Sequence, residues 1–253
     1  TLMIPALFGV SVSQINLLLD TLIASFLMTG SISWLYYSDR LLEFPLGLFG
    51  IAIATVILPA LSKNHVSDDK KSFSSNIDWA LRIIAMLGIP ASAALVVLAM
   101  PLLLIMFQRG EFTIDDTYMA SYSLMAYGAG LFSFMLVKIF APAFYSRQDT
   151  KTPVKFGIIT MVANMLFNLI LAWPFSYVGL AMATALSGTL NAVLLYRRLA
   201  QLGVYKIQKA TWLFLAKILF STAVMTAAIV GLSSHLIWEE STFYVRVLNL
   251  CTV

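Results

Sequence analysis

Residues 34–61 read WLYYSDRLLEFPLGLFGIAIATVILPAL, an apolar stretch that carries Asp39, Arg40 and Glu43 within five positions. About 20 apolar residues cross a bilayer as a helix, and each charge inside such a helix costs at least about 2.5 kcal/mol. A helix brings Arg40 and Glu43 within reach of each other, with Asp39 beside them. We therefore expect a polar cavity lined by Arg40. The alternative is an internal ion pair that only holds two helices together.

The rest of the chain is similarly apolar, with 60% hydrophobic and 11% charged residues, whereas soluble domains carry about 25% charge. This composition predicts an all-α integral membrane protein, a polytopic helix bundle with about seven spans and the start of another. In the second span, Pro45, Gly47 and Gly50 predict a kink. The predicted spans are Leu2–Met28, Trp34–Leu61, Ile77–Phe107, Asp116–Tyr145, Pro153–Trp173, Ser176–Leu199 and Thr211–Ile237.

The loops between these spans alternate in charge. Lys and Arg concentrate in residues 62–76, 147–155 and 197–210, whereas the loops between them are uncharged or acidic, as in QRGEFTIDD at 108–116 and HLIWEE at 235–240. Because basic loops resist translocation, the first set is predicted to be cytoplasmic. We expect residues 62–76 to form a solvated cytoplasmic loop rather than an amphipathic helix. Residues 1–253 then form a single transmembrane lobe, which we expect to be part of a longer protein.

Several polar side chains lie inside the predicted spans at similar depth. Counted from the outer ends at 1.5 Å per residue, they fall roughly 6–12 Å below the outer surface. Asn164 and Asn168 are one helical turn apart, so their amide oxygens can act together. A common depth predicts one shared cavity. The residues at this level are Asp20, Arg40, Asn164, Asn168 and Thr184.

The sequence offers little for catalysis or for a metal centre built from His and Cys. His65 and His235 are far apart and have no Cys or carboxylate at ligand spacing, and a single cysteine, Cys251, excludes a disulfide within the chain. The adjacent Asp115 and Asp116 are better explained by a helix N-cap than by a Mg²⁺ site. We predict that the protein is not an enzyme.

Two stretches resemble a known family. SDRLLEFPLGLFGIAIATVILPALSK at 38–63 and APAFYSRQDTKTPVK at 141–155 are similar to the MurJ (MviN) family of lipid II flippases in the MOP transporter superfamily. The similarity covers essentially the whole chain. Members of this family have fourteen membrane helices in two lobes, so the resemblance implies that this chain is the second lobe, the C-terminal half.

The resemblance implies transport of lipid II, the undecaprenyl-pyrophosphate-linked peptidoglycan precursor, from the inner to the outer leaflet of the bacterial cytoplasmic (inner) membrane. This step of cell-wall synthesis would proceed by alternating access. Arg40 would bind the pyrophosphate, with Asp39 and Glu43 beside it. Arg suits this role because its guanidinium matches phosphate oxygens bidentately. The expected partners are lipid II, membrane lipids and the missing N-terminal lobe, without nucleic acid and without a cofactor other than a coupling ion.

Asp20, Asn164, Asn168 and Thr184 suggest that this ion is a monovalent cation, with Na⁺ as the first candidate. A lone carboxylate in an apolar helix either takes up a proton or recruits a cation, and amide and hydroxyl oxygens suit a small hard ion. The resemblance adds the backbone carbonyl of Leu180 to the shell. Asn168 stands where relatives can have an acid, so weak binding or none is one expected result. The alternative is a protonated Asp20 that hydrogen-bonds Asn164 and joins the helices.

The sequence is also compatible with three other functions. The cargo could be that of another MOP-type exporter, such as a polysaccharide-unit flippase or a drug/cation antiporter. From other classes, a membrane-embedded polyprenyl-phosphate enzyme and a purely structural bundle also fit an apolar chain with few polar residues.

Overall fold

The computed structural model describes residues 3–67, 69–233 and Leu250, with the backbone alone for residues 3–13 and 233. All regular structure in these residues is helical, which confirms the predicted all-α class. Four features of the sequence lie outside the described residues: the last part of the seventh predicted span, the HLIWEE segment, His235 and Cys251.

The helices are α1 Met3–Ser25, α2 Ser31–Pro45, a π-helical segment Leu46–Ile51, α3 Ala52–Val66, α4 Lys70–Val97, α5 Ala99–Met106, α6 Ile114–Tyr145, α7 Lys151–Gln201 and α8 Lys209–Ser233. Five helical stretches of the described chain are long and apolar enough to cross a membrane: Ser31–Val66, Lys70–Val97, Ile114–Tyr145, Lys151–Gln201 and Lys209–Leu232. The chain is therefore a multi-pass membrane protein. The number of spans, seven, stays a prediction.

Helix α6 forms the centre of the bundle and packs against α2, α4 and α7. Leu124, Leu131, Met135 and Ile139 recur at intervals of seven and four residues along this helix, and all four are fully buried. Large apolar side chains also cover the outside of the bundle; Trp173, for example, is 94% exposed. In a membrane protein such side chains face lipid and the membrane interface.

The predicted kink in the second span takes the form of a π-helical segment. The segment Leu46–Ile51 follows Pro45 directly and joins α2 to α3 without a loop. π-Helical turns inside longer helices occur where the regular hydrogen-bond ladder is interrupted, which proline causes because it has no N–H. The Gly50 position is close-packed: a Cβ there would lie 3.4 Å from Cγ of Lys138 on α6.

The predicted loop at residues 62–76 is wrong, because most of this stretch is helical. Helix α3 continues to Val66, and α4 begins at Lys70 instead of Ile77. Asp69 caps α4 by accepting the backbone N–H of Ser72 at 2.9 Å. Polar residues suggested a loop, but solvated helix ends tolerate them equally well once a capping side chain satisfies the free N–H groups.

Helix α7 consists of two arms that fold back on each other. Its 51 residues would extend about 76 Å if straight, but Ser176 has φ 51° and ψ −134° and reverses the chain. The reversal confirms the predicted boundary between the fifth and sixth spans. The arms pack so closely that a Cβ on Gly179 would collide with the backbone carbonyl of Leu171. We call residues 151–175 the first arm and 177–201 the second arm.

The connections between helices gather at two ends of the bundle. At one end the indole of Trp34 donates to Asp116 at 2.8 Å and contacts the tilted ring of Tyr177, with 4.8 Å between the ring centres. Thr113 caps α6 there in a reciprocal pair with Asp116, so the aspartates belong to a helix cap as predicted. The end of α3, the start of α4 and the connections 146–150 and 202–208 meet at the other end, which we call the basic end because of its Lys and Arg residues.

Candidate functional site

Polar side chains from α1 and both arms of α7 meet inside the bundle. Asn168 is fully buried and Asn164 is 1% exposed. The fold-back at Ser176 brings the second arm, with Thr184, against the first arm that carries both asparagines. Four of the five residues predicted to share one level therefore lie together. We call Asp20, Asn164, Asn168, Thr184 and their neighbours Asn16 and Ser187 the polar cluster.

Hydrogen bonds connect the cluster across three helical segments. The amide of Asn168 donates to Oδ1 of Asp20 at 2.6 Å and to Oδ1 of Asn164 at 3.0 Å. The Asn164 amide lies 3.4 Å from the hydroxyls of Thr184 and Ser187. The Thr184 hydroxyl in turn donates to the carbonyl of Leu180 at 3.0 Å. The cluster therefore ties α1 to both arms of α7.

Oxygen atoms crowd together at the centre of the cluster. The side-chain oxygen of Asn164 lies 3.2 Å from Oδ1 of Asp20 and 3.0 Å from Oδ1 of Asn16. Three acceptors at this separation repel one another. A cation between them relieves the repulsion. A 180° turn of the Asn164 amide also makes its nitrogen a donor to Asp20 and lets its oxygen accept from the N–H of Thr184 at 3.3 Å, but it gives up the bond from Asn168, whose amide nitrogen would then lie 3.0 Å from that of Asn164. The first arrangement corresponds to the cation site predicted for Asp20; the second links Asp20 to Asn164 as the predicted alternative does, but with Asp20 as the acceptor.

The donor set fits a small monovalent cation better than a divalent one. No group of three or more His, Cys, Asp or Glu that could hold a metal exists in the described part of the chain. The cluster offers one carboxylate together with amide, hydroxyl and carbonyl oxygens. The buried side-chain oxygen of Asn168 also has no hydrogen-bond partner among the described residues, and such an orphaned acceptor is costly unless it finds a donor or a cation.

A cavity of about 760 Å³ extends from the cluster toward the basic end. Asn164, Thr184 and Ser187 line its inner part, and Lys138 and Thr150 line it farther along. A water molecule occupies about 30 Å³ in the liquid, so the cavity has room for many. The cluster is therefore connected to the basic end through a cavity with a mixed polar and apolar lining.

Arg40 lies on α2, whereas the cluster is built from α1 and the two arms of α7. Its guanidinium pairs with Glu43 at 2.5 Å and lies 4.9 Å from the ring centre of Tyr36, and both members of the pair are about half exposed. Asp39 next to them is partly buried. The common cavity for Arg40 and the cluster stays a prediction; Arg40 is not among the described residues that line the cavity next to the cluster. The pair also joins no two helices, because Tyr36, Arg40 and Glu43 are all on α2.

Two cluster members were missed by the sequence reasoning. Asn16 lies one turn before Asp20, and its amide donates to Oδ2 of Asp20 at 3.3 Å; the four-residue spacing was a usable signal. Ser187 belongs to a row of small residues with Gly179 and Ala183, whose spacing is typical of helix packing. Its role in the cluster becomes visible only once the two arms of α7 are folded together.

Comparison with known proteins extends these observations. The family profile described as lipid II flippase MurJ matches residues 1–248. A relative from Vibrio cholerae, named probable lipid II flippase MurJ, is 62% identical over 96% of this chain and 45% of its own length. The chain spans about half the length of the curated relatives it matches.

Solved structures show the same fold. A structure of lipid II flippase MurJ in an inward closed conformation has a TM-score of 0.81 at 27% identity, over 98% of this chain and 51% of that one. A MOP superfamily transporter from Pyrococcus furiosus shares the fold at 16% identity and a TM-score of 0.67, over 92% of this chain and 53% of that one. With a matching profile over nearly its full length, the chain belongs to the lipid II flippase MurJ family.

Proposed function

We propose that this chain is one lobe of a two-lobed flippase that moves lipid II from the inner to the outer leaflet of the bacterial inner membrane. Family membership supports the activity, and the half-length match to relatives supports a second lobe. Alternating access requires the two lobes to move against each other around a central substrate site. The partners are then lipid II, membrane lipids and the N-terminal lobe, and the protein is a transporter rather than an enzyme.

The exposed Arg40 is the observation that carries the substrate proposal. An arginine on an apolar helix is costly if it faces lipid, yet its side chain is 47% exposed here. Glu43 and the Tyr36 ring hold the guanidinium while leaving part of it accessible. A surface of this kind fits a central site that the other lobe completes, where Arg40 binds the pyrophosphate and Asp39 and Glu43 orient it.

The polar cluster would hold a coupling cation, with Na⁺ as the first candidate. Asp20, Asn164, Thr184 and the Leu180 carbonyl are the proposed ligands, and Asn168 completes the set. When bound, the cation would compensate the carboxylate charge and join α1 to both arms of α7. The cavity past Lys138 gives it a route from the basic end.

We place the basic end of the bundle on the cytoplasmic side. The helix ends and connections there carry Lys63, Lys70, Arg147 and Lys151, and basic residues close to the ends of membrane spans resist translocation. The end with Trp34 and Asp116 then faces outward. In this orientation the cavity next to the cluster opens toward the cytoplasm.

The test uses the full-length transporter in cells that depend on it, with lipid II export as the readout. Arg40→Ala should reduce export by about 10- to 100-fold, because a hydrogen bond to a charged group is worth about 1.5–3 kcal/mol. Arg40→Lys should also be impaired despite its charge, since it lacks the planar fork. Arg197→Ala, an exposed arginine at the basic end, is the matched control and should be active.

The double variant Arg40→Leu/Glu43→Leu decides between a ligand and a simple ion pair. Apolar replacement of a structural pair is often tolerated. Normal export by this double variant would end the ligand proposal, whereas loss of export in a stable, membrane-inserted protein supports it. Export of another polyprenyl-linked sugar instead of lipid II would indicate the other MOP-type cargo.

A further inference from the structure

A second cavity, of about 200 Å³, lies at the basic end. No residue of the polar cluster lines it. It is formed where three connections meet. Asn64 comes from the end of α3, Asp69 and Lys70 from the start of α4, Arg147 from the α6–α7 connection, and Gly203 from the connection after α7. Neither the substrate proposal nor the cation proposal uses any of these residues.

Two residues that line this cavity each carry a buried side-chain nitrogen without an acceptor among the described residues. The two nitrogen atoms are Nδ2 of Asn64 and Nη1 of Arg147. A buried donor without a partner costs about 1–3 kcal/mol, and more when the group is charged. Two such donors, from separate parts of the chain, belong to residues that line one cavity, and an acceptor bound there could satisfy them after a small side-chain adjustment.

The charges on the cavity walls favour an anion. Arg147 and Lys70 are cationic, and the imidazole of His65 adds another nitrogen. Asp69 is the opposing charge, but its carboxylate is occupied in capping α4. Hydrogen bonds from Ser72 lower the pKa of Asp69 below its usual range, so it remains ionised at neutral pH. The fixed charge of Arg147, Lys70 and Asp69 together is one positive.

We propose that this cavity binds a phosphate group, which carries acceptor oxygens only and suits a guanidinium and an amide nitrogen as donors. Its volume is several times the roughly 30 Å³ share of a water molecule, so the tetrahedral group fits. The phosphate could come from the headgroup of an anionic lipid or from a free phosphate in solution. Either one would join the α3–α4 junction to the connections on both sides of α7.

The experiment uses the full-length transporter in phosphatidylcholine nanodiscs. One arm titrates inorganic phosphate at constant ionic strength and follows binding by calorimetry. The other arm adds phosphatidylglycerol to the discs and counts retained lipids by native mass spectrometry. Saturable calorimetric binding identifies free phosphate as the source, and selective retention of phosphatidylglycerol identifies the lipid headgroup.

Three variants assign the binding to this cavity. Arg147→Gln should weaken the binding of inorganic phosphate or phosphatidylglycerol, whichever the wild-type protein binds, about tenfold, since it removes a charged hydrogen-bond donor. Asp69→Asn should strengthen it about threefold, because asparagine still caps a helix but removes the opposing charge. Arg197→Gln removes an equal charge from the surface near the basic end, outside the cavity, and should change nothing.

The tighter binding expected from Asp69→Asn distinguishes a binding effect from misfolding, because an unfolded variant does not bind phosphate more tightly. Equal effects of Arg147→Gln and Arg197→Gln would overturn the proposal, since only general surface charge would then matter. Absence of binding by both probes would overturn it as well. Neither result would affect the flippase proposal, which rests on other residues.

Discussion

Asp20 is the one acidic member of the polar cluster, and its carboxylate accepts amide hydrogens from Asn16 and Asn168. Its two possible roles, cation ligand and hydrogen-bonded link between helices, differ in their dependence on sodium. A ligand that binds only the folded state raises stability by RT ln(1 + [L]/Kd). The melting temperature of the full transporter should therefore rise with Na⁺ relative to a large organic cation.

Some substitutions within the cluster should reduce the Na⁺-dependent rise in melting temperature, and others should increase it. Asp20→Asn should abolish it, and Thr184→Val should weaken it. Asn168→Asp adds a second carboxylate beside Asp20 and should strengthen Na⁺ binding about tenfold or more, because two like charges need a cation between them. Thr189→Val is the matched control on the same arm, outside the cluster. Full, sodium-independent activity of Asp20→Asn would show that the cluster is structural.

At the scale of helices, glycine sets the distance between α6 and the second arm of α7. A Cβ on Gly130 would lie 2.7 Å from Cβ of Ala185 and 2.9 Å from its Cα, whereas a Cβ on Gly157 would meet nothing within 4 Å. We expect Gly130→Ala to destabilise the transporter by about 1–3 kcal/mol because the helices must move apart. Gly157→Ala should be neutral or stabilising by up to about 1 kcal/mol. Thermal unfolding in detergent compares the two; equal melting temperatures would contradict the close contact.

Helix α8 is attached to α4 by a buried polar network at the basic end. Asp78 accepts hydrogen bonds from Tyr205 at 2.9 Å and Thr211 at 2.7 Å, and it pairs with Arg82 at 2.8 Å. Burial raises the pKa of Tyr205 well above its usual range, so its hydroxyl stays protonated and donates.

Removing one partner of this network should be costly. Asp78 is almost completely buried, and Asp78→Ala removes the acceptor of Tyr205 and Thr211, whereas the Arg82 side chain is 37% exposed and can be solvated; we expect a cost of about 1–3 kcal/mol. Asp78→Leu/Arg82→Leu should recover most of that loss, because apolar residues can replace a buried pair. Chemical or thermal unfolding measures both. A double variant as unstable as Asp78→Ala would show that the hydrogen bonds to Tyr205 and Thr211, and not the charge pair, stabilise this contact.

At the scale of the whole molecule, the proposed orientation can be tested by labelling. After Cys251 is replaced, cysteines at Ser67 and Thr150 should resist a membrane-impermeant thiol reagent in intact cells. Cysteines at Thr29 and Glu111, at the other end of the bundle, should react. Permeabilised cells provide the control, since all four positions should then react. Labelling of Ser67→Cys in intact cells would reverse the assignment of the two faces.

Hydropathy predicted the helical class. The position of each polar residue along its span predicted that Asp20, Asn164, Asn168 and Thr184 lie close together, because depth along a helix can be counted from the sequence. Counting gives depth but not rotation around the bundle, so a cavity shared by Arg40 and the cluster stays a prediction. The loop predicted at 62–76 failed because polar residues are equally stable in a solvated helix end. Asn64 and Arg147 are distant in sequence, and only the folded chain brings them to one cavity.

The reversal at Ser176 also bears on biogenesis. Residues 172–178 contain no charged side chain, and within Lys151–Gln201 the backbone leaves helical geometry at Ser176 alone. The insertion machinery therefore receives two apolar arms with almost no hydrated segment between them. We expect both to enter the bilayer together as one preformed hairpin, so that no polar loop has to be threaded through the membrane during synthesis.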